Sequence, residues 1–223
     1  MVVPEGTVLK LPDSIPLDVA ALVEPLSVAW HAVSASPLTT SSTVLVLGGG
    51  PIGLAVVQCL VALKTRTIIV SEVSSTRQRF AHEFGAHHVL NPINNDIVSI
   101  SHKLSGAGGP DIVFDCAGVP ASITTACQAV RARGTIVNVA IWEKEVPFQP
   151  NMLVFREAMY TAVLGYQRKD FQAVIDALAD GRLKPEKMIT SKIQLEDLVE
   201  GGIKALISDK ESHIKILVEV GGK

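Results

Sequence analysis

The chain has 223 residues, of which 48% are hydrophobic and only 4% aromatic, and its formal net charge is −2. This composition excludes a disordered chain and is typical of an α/β core built from Val, Ile, Leu and Ala. The 20 basic and 22 acidic residues form no basic run, so we expect no binding to nucleic acid or to an anionic membrane surface.

Residues 44–63 are almost all apolar, but a glycine-rich segment from Gly48 to Gly53 interrupts them. Glycine and proline at that point break a single membrane-spanning helix and favour a buried strand, a turn and a buried helix. The N-terminus has no basic segment followed by an apolar one, so we expect no secretory signal. The three cysteines are far apart without CxxC spacing, which favours reduced thiols and a cytoplasmic location.

From Thr43 onward, β-rich apolar runs alternate with amphipathic helical stretches. The predicted strands are Thr43–Leu47, Thr67–Ser71, His87–Leu90, Asp111–Asp115, Gly134–Val139 and Ala158–Leu164. The predicted helices are Pro51–Leu63, Ser74–Phe84, Asp96–Leu104, Pro120–Val130 and Asp170–Ala179. Alternation of this kind implies β-α-β crossovers and a parallel sheet covered on both faces. The sequence therefore predicts a doubly wound α/β domain with a Rossmann fold.

The two ends fall outside this alternation. The first 20 residues are predicted to be extended and to lead into a helix near Val19–Ser34. After Lys184 we expect a loop, a helix near Leu195–Ile207 and a last strand at His213–Val218. We therefore predict a Rossmann domain over residues 41–183, with residues 1–40 and 184–223 as short remnants of a second domain.

The segment from Gly48 to Gly53 has the pattern G-x-G-x-x-G between a predicted strand and a predicted helix. In this setting Gly48 permits a tight turn, Gly50 lets the backbone approach a pyrophosphate, and Gly53 permits close packing of helix on strand. Pro51 and Ile52 open the helix, whose free N–H groups attract phosphate. The pattern therefore predicts a dinucleotide site.

An acidic residue, Glu72, follows the second predicted strand, nineteen residues beyond Gly53. That position is the expected one for a carboxylate that accepts hydrogen bonds from the adenosine ribose, and it repels a 2′-phosphate. We therefore predict NAD(H) as the cofactor. The alternative is a glycine-rich turn without a ligand and a solvated Glu72.

Several segments together make the chain resemble a known family. They are Leu22–Leu26, Gly48–Gly53, Ile69–Glu72, Phe114–Gly118, Asn138–Trp142 and Lys184–Thr190. As a set they resemble the zinc-dependent medium-chain dehydrogenases, most closely the 2,3-butanediol and sorbitol dehydrogenase branch. The resemblance implies an NAD-dependent alcohol dehydrogenase.

The resemblance also implies roles for further residues. Arg77 would lie near the adenosine, Cys116, Ala117 and Gly118 would border the adenine and ribose, and Val139, Ala140, Leu164 and Gly165 would line the nicotinamide pocket. It further implies that the strand near Tyr160–Leu164 pairs with its mate in a second copy, giving a homodimer.

The same resemblance implies that the N-terminal catalytic domain of the family, which carries a Cys and a His zinc ligand, is missing. Glu24 matches a position that supplies a carboxylate to the catalytic zinc or its water. One carboxylate cannot make a three-ligand zinc site. We therefore expect no zinc in this chain alone, with Glu24 as a relic or a partial ligand.

Three functions are compatible with these observations. In the first, the chain is the NAD(H)-binding part of a butanediol- or polyol-type dehydrogenase, with little hydride-transfer activity of its own. In the second, it is an inert NAD-binding and dimerisation module. In the third, it is a repurposed non-redox enzyme, such as an isomerase or cyclase, that uses the exposed cofactor cleft. In each case we expect residues 1–40 and the final strand either to repack on the Rossmann core or to mediate oligomerisation.

Overall fold

The computed structural model describes residues 2–106, 108–209 and 211–221. Its strands are β1 Thr43–Leu47, β2 Thr67–Ser71, β3 His88–Leu90, β4 Ile112–Asp115, β5 Thr135–Asn138, β6 Met159–Ala162, β7 Ile189–Gln194 and β8 Lys215–Glu219. Its α-helices are α1 Leu17–Ala20, α2 Val23–Ser34, α3 Pro51–Ala62, α4 Ser75–Glu83, α5 Ile97–Ser105, α6 Pro120–Ala129, α7 Asn151–Val154, α8 Arg168–Ala179 and α9 Ala205–Ser208.

Within the described residues, six parallel strands form one sheet in the order β3-β2-β1-β4-β5-β6. The chain winds outward from β1 to β3, then returns to the other side of β1 and winds outward to β6. This confirms the predicted doubly wound fold. In such a sheet the connections at the carboxyl ends of β1 and β4 diverge, and the gap between them is where ligands bind.

The side chains of β1 alternate between two cores, as the strand period of two requires. Val44 and Val46 face a core that also contains buried residues of α2, α3 and α8. Leu45 and Leu47 face a second core with buried residues of α5 and α6. Because both faces of β1 are buried, its sequence is a continuous apolar run instead of an alternating one.

The strands and helices predicted in the Rossmann domain are all present, with ends that differ by up to two residues. The helix predicted near Val19–Ser34 is divided into α1 and α2. The short helix α7 was not predicted, and neither was β7, which lies in the segment expected to be a loop. Strand β7 has only two large apolar residues, Ile189 and Ile193, and none of its residues is buried, so its apolar pattern is too weak to identify a strand.

The two ends of the chain pack differently. Leu22, Val23 and Leu26 of the α2 region are buried in the core shared with α3, so much of residues 1–40 packs on the Rossmann domain. Strands β7 and β8 form a separate two-stranded parallel sheet, although Met188 and Ile214, which directly precede them, are buried in that same core. The helical segment between the two strands includes a π-helical turn at Leu198–Lys204. Among the described residues, no helix has the length and apolar character needed to cross a bilayer.

Candidate cofactor site

A cavity of about 470 Å³ lies at the carboxyl edge of the sheet, where the β1 and β4 connections diverge. Its walls come from the turn after β1, the end of β2 with the start of α4, and the turn after β4 with the start of α6. The residues of these three segments that line it include Leu47, Gly48, Gly50, Ser71, Glu72, Val73, Arg77, Cys116, Ala117, Val119 and Ser122.

Three glycines determine the shape of the turn after β1. A side chain at Gly48 or Gly53 would contact neighbouring atoms too closely, whereas Gly50 borders open space. Gly48 has φ +92°, and a Cβ there would lie 3.1 Å from the Cβ of Ala117. A Cβ at Gly53 would overlap the carbonyl oxygen of Gly48. A Cβ at Gly50 would meet no atom within 4 Å, so the backbone at the start of α3 is open to the cavity. The first N–H groups of α3 lack intrahelical acceptors and attract negative charge.

The Glu72 carboxylate is buried at the end of β2 and faces this turn. Its Oε2 accepts a 2.6 Å hydrogen bond from the Gly49 N–H, and its Oε1 accepts a 2.8 Å bond from the Ser74 N–H. Each carboxylate oxygen can accept more than one hydrogen bond. The carboxylate is therefore fixed in orientation and still able to accept bonds from ligand hydroxyls.

Arg77, in the first turn of α4, lies on the wall of the same cavity as Glu72. The N-cap of this helix is Ser74, whose Oγ accepts from the Arg77 N–H at 3.3 Å. The structure thus brings two predicted site residues, Glu72 and Arg77, to one cavity, while their roles toward a nucleotide stay predictions. The sequence missed the contributions of Gly49 and Ser74 to holding the carboxylate.

Asp115, the last residue of β4, is buried and supports the turn that lines the cavity, a role that was not predicted from the sequence. Its Oδ1 accepts from the N–H groups of Ala117 at 3.0 Å and Gly118 at 3.1 Å, and its Oδ2 accepts from Ser122 Oγ at 2.9 Å. Burial raises the pKa of the Asp115 carboxyl, against the effect of these three hydrogen bonds. An aspartate that accepts from N–H groups two and three residues ahead is a known turn signal, which the sequence did contain.

The residues assigned to the nicotinamide pocket lie farther along the same edge. Gly118 has φ +62°, and a Cβ there would lie 2.9 Å from the Cβ of Ala140. Val139 is buried beside them, at the end of β5. Leu164 and Gly165 follow the neighbouring strand β6, and Leu164 is exposed. These residues lie at adjacent strand ends but outside the lining of the 470 Å³ cavity.

The donor groups needed for zinc do not come together in the part of the chain that the structure describes. No cluster of three or more His, Cys, Asp or Glu side chains there could hold a metal. Glu24 is exposed in the first turn of α2. Burial raises the pKa of the Cys59 and Cys127 thiols, which disfavours the thiolate that binds metal. His31 Nδ1 lies 2.8 Å from the buried Asp170 carboxylate. These residues do not fit a three-ligand zinc site.

Comparison with known proteins decides the family. The model for zinc-binding dehydrogenases matches residues 51–180, which begin at the start of α3 and include Glu72 and Asp115. The chain belongs to the zinc-binding dehydrogenase family. This confirms the resemblance drawn from the sequence motifs.

Two curated relatives illustrate how this family member compares with longer proteins. A probable diacetyl reductase, (R)-acetoin forming, from Saccharomyces cerevisiae is 38% identical over 98% of this chain and 54% of its own length. An (R,R)-butanediol dehydrogenase from Bacillus subtilis is 39% identical over 97% of this chain and 62% of its own length. The chain thus spans about half to three-fifths of the length of these relatives.

Solved structures agree with this placement. The 2R,3R-butanediol dehydrogenase from Bacillus subtilis has a TM-score of 0.90 and 37% identity, covering 96% of this chain and 60% of that one. An alcohol dehydrogenase from Escherichia coli CFT073 complexed with NADH has a TM-score of 0.88 and 27% identity, covering 97% and 63%. A zinc-binding dehydrogenase from Sinorhizobium meliloti bound to NADP has 0.82 and 28%, covering 94% and 61%.

Proposed function

We propose that this chain binds NAD(H) and serves as the cofactor-binding part of a butanediol- or polyol-type alcohol dehydrogenase. The observation that carries the proposal is the buried Glu72 carboxylate, held by two backbone N–H groups beside the open turn at Gly50. A fixed acceptor next to an open helix N-terminus matches the ribose and pyrophosphate of a dinucleotide.

The charge at this position favours NAD(H) over its 2′-phosphorylated counterpart. A 2′-phosphate would have to approach a carboxylate that is buried and already fixed by Gly49 and Ser74. Repulsion between like charges is strong where water is scarce. Solved relatives are bound to NADH in one case and NADP in another, so the family alone does not decide the preference.

The position of each other segment along the carboxyl edge of the sheet suggests which part of the cofactor its residues would contact. Gly48 and the start of α3 from Gly50 through Pro51, Ile52 and Gly53 would hold the pyrophosphate. Arg77 would lie by the adenosine, with Cys116, Ala117 and Gly118 beside the adenine and ribose. Val139, Ala140, Leu164 and Gly165 would border the nicotinamide. When bound, the nicotinamide supplies the acceptor for a hydride from a secondary alcohol, and these residues hold and orient it.

The substrate class comes from the relatives, whose names include butanediol dehydrogenase and diacetyl reductase. We propose a secondary alcohol or vicinal diol as the substrate of the protein to which this cofactor-binding part belongs. Glu24 would be a relic or a partial metal ligand there, because its neighbours do not complete a zinc site.

Titration of NADH and NADPH into the purified chain tests the cofactor proposal. We expect NADH to bind at least about tenfold more tightly than NADPH. Glu72→Gln should weaken NADH binding about tenfold or more, because charge-assisted hydrogen bonds to the ribose are lost. The matched control is Glu196→Gln, at an exposed carboxylate remote from the cavity. Absence of binding by either nucleotide would overturn the proposal.

We also propose that two copies of this chain pair through β6. This strand is an edge of the sheet, carries no charge over Met159–Ala162, and leaves Met159 62% exposed. Proteins normally protect an exposed edge strand with charges, prolines or bulges, so an uncharged edge favours pairing with another strand.

Lysine substitutions on β6 test this pairing. Met159→Lys with Thr161→Lys places two like charges on one face of β6, and the same pair in the second copy would repel them. We expect dimer dissociation to become about tenfold easier or more, measured by sedimentation velocity over a concentration series. Leu17→Lys, at another exposed apolar residue, should leave the dimer unchanged. A wild-type chain that sediments as a monomer throughout would contradict the pairing.

A further inference from the structure

We propose that Gln78 is a positioning residue for nucleotide recognition, which acts by fixing the main chain of Glu72 with an uncharged donor. The proposal rests on the function proposed above and explains how the residue that carries the carboxylate is held in place without a further positive charge beside it. Gln78 carries no role in the dinucleotide motif, and its side chain is half-buried on α4.

The turn that carries Glu72 needs an anchor. Glu72 follows the last residue of β2, and α4 begins only three residues later. Val73, between Glu72 and the N-cap residue Ser74, is exposed, so apolar packing does not hold the turn in place. Hydrogen bonds made by the main-chain groups of the turn hold it instead, and one of them is the bond from the Ser74 N–H to Glu72 Oε1.

Gln78 supplies such a bond from one turn into the helix. Its Nε2 donates to the carbonyl oxygen of Glu72 at 2.7 Å and lies 3.4 Å from that of Val73. The N–H of Glu72 donates to the Leu90 carbonyl of the neighbouring strand end at 3.0 Å. Both polar groups of the Glu72 main chain are thus held, one by the sheet and one by Gln78.

The choice of an amide matters for specificity. A lysine at position 78 could also donate to the Glu72 carbonyl, but it would add a second positive charge, beside that of Arg77, to the helix that borders the cavity. Such a charge would offset the carboxylate and attract a 2′-phosphate. A neutral donor fixes the backbone without weakening the negative potential at the ribose.

Four variants test the inference through NADH and NADPH affinity. Gln78→Met keeps the length and apolar stem of the side chain but removes the donor, and should weaken NADH binding about three- to tenfold. Gln78→Lys restores a donor, so NADH should bind nearly as in wild type while the preference over NADPH falls. Gln172→Met, at an exposed amide that bonds Asp176 on α8, is the matched control and should change neither affinity.

The fourth variant shows whether Gln78 acts through Glu72. In a Glu72→Gln background, Gln78→Met should have no further effect on NADH affinity, since coupled residues are not additive. The same loss in both backgrounds, or no loss in wild type, would overturn the inference while leaving NADH binding intact. If Gln78→Met does not fold, an unchanged nucleotide preference in Gln78→Lys overturns it instead. If wild type binds no NADH, the proposed function and this inference fall together.

Discussion

Replacing Gly53 with alanine is expected to abolish NADH binding and to lower the free energy of unfolding by about 3 kcal/mol. The added Cβ would overlap the carbonyl oxygen of Gly48, which is main chain and cannot rotate away. Relief requires moving the turn or the helix, and either movement disturbs the site where the pyrophosphate is proposed to bind.

Neither partner of this clash can shift cheaply. The Gly48 N–H donates to the Ser71 carbonyl at 2.9 Å, which ties the turn to the end of β2. Helix α3 is buried along nearly its whole length, with Leu54 and Leu60 fully inaccessible. Packed interiors transmit such a displacement instead of absorbing it. The loss in stability should therefore appear as a lower urea midpoint with an unchanged slope.

Gly50→Ala separates the effect on binding from the effect on folding. Gly50 has φ −68°, an ordinary value for any residue, and a Cβ there would meet no protein atom within 4 Å. We expect its stability to stay within about 0.5 kcal/mol of wild type. Its methyl group would occupy space proposed for the phosphates, so NADH binding should still be weakened. Gly53→Ala with wild-type stability would contradict this account of the turn.

The sequence predicts an element well when the residues of that element alone carry a clear pattern. β1 is a continuous apolar run flanked by turn residues, and its predicted bounds, Thr43–Leu47, are those observed. β7 was missed because Ile189 and Ile193 are its only large apolar residues and none of its residues is buried. The segment predicted as one helix near Leu195–Ile207 contains Gly201 and Gly202, and the structure has a π-helical turn there.

The candidate site likewise contains residues that the sequence predicts and contacts that it does not. The glycine turn and Glu72 follow a fixed spacing along the chain, so the sequence suffices to place them together. The bond from Gln78 to the Glu72 carbonyl depends on how a side chain folds back over a helix end, and no spacing rule specifies it. The position of Leu164 relative to the cavity depends on strand order across the sheet, which local patterns do not contain.

Asp115 allows the second large effect to be tested with a pair of variants. Asp115→Ala is expected to lower the free energy of unfolding by about 3 kcal/mol, because the N–H groups of Ala117 and Gly118 and the buried hydroxyl of Ser122 lose their acceptor. The turn that carries these residues borders the proposed cofactor site, so NADH binding should weaken as well.

Asp115→Asn should behave very differently at neutral pH. The Asn oxygen can accept from both N–H groups, and its amide nitrogen can donate to Ser122 Oγ, whose hydrogen is then free for the Val119 carbonyl at 2.8 Å. Every hydrogen bond is kept and a buried charge is removed. We expect its stability to lie within about 1 kcal/mol of wild type or above it, with NADH affinity retained.

The pH dependence of the free energy of unfolding distinguishes an effect of the Asp115 charge from an effect of its shape. Burial raises the folded-state pKa of Asp115 above its ordinary value of 3.8, so the neutral acid is more favoured in the folded protein than in the unfolded chain. Its contribution to stability is present below pH 3.8 and is lost as the pH rises through the raised pKa. Asp115→Asn cannot undergo that loss, so urea midpoints should favour it over wild type most strongly at neutral pH. If Asp115→Asn is instead as unstable as Asp115→Ala at neutral pH, the charge itself holds the turn after β4.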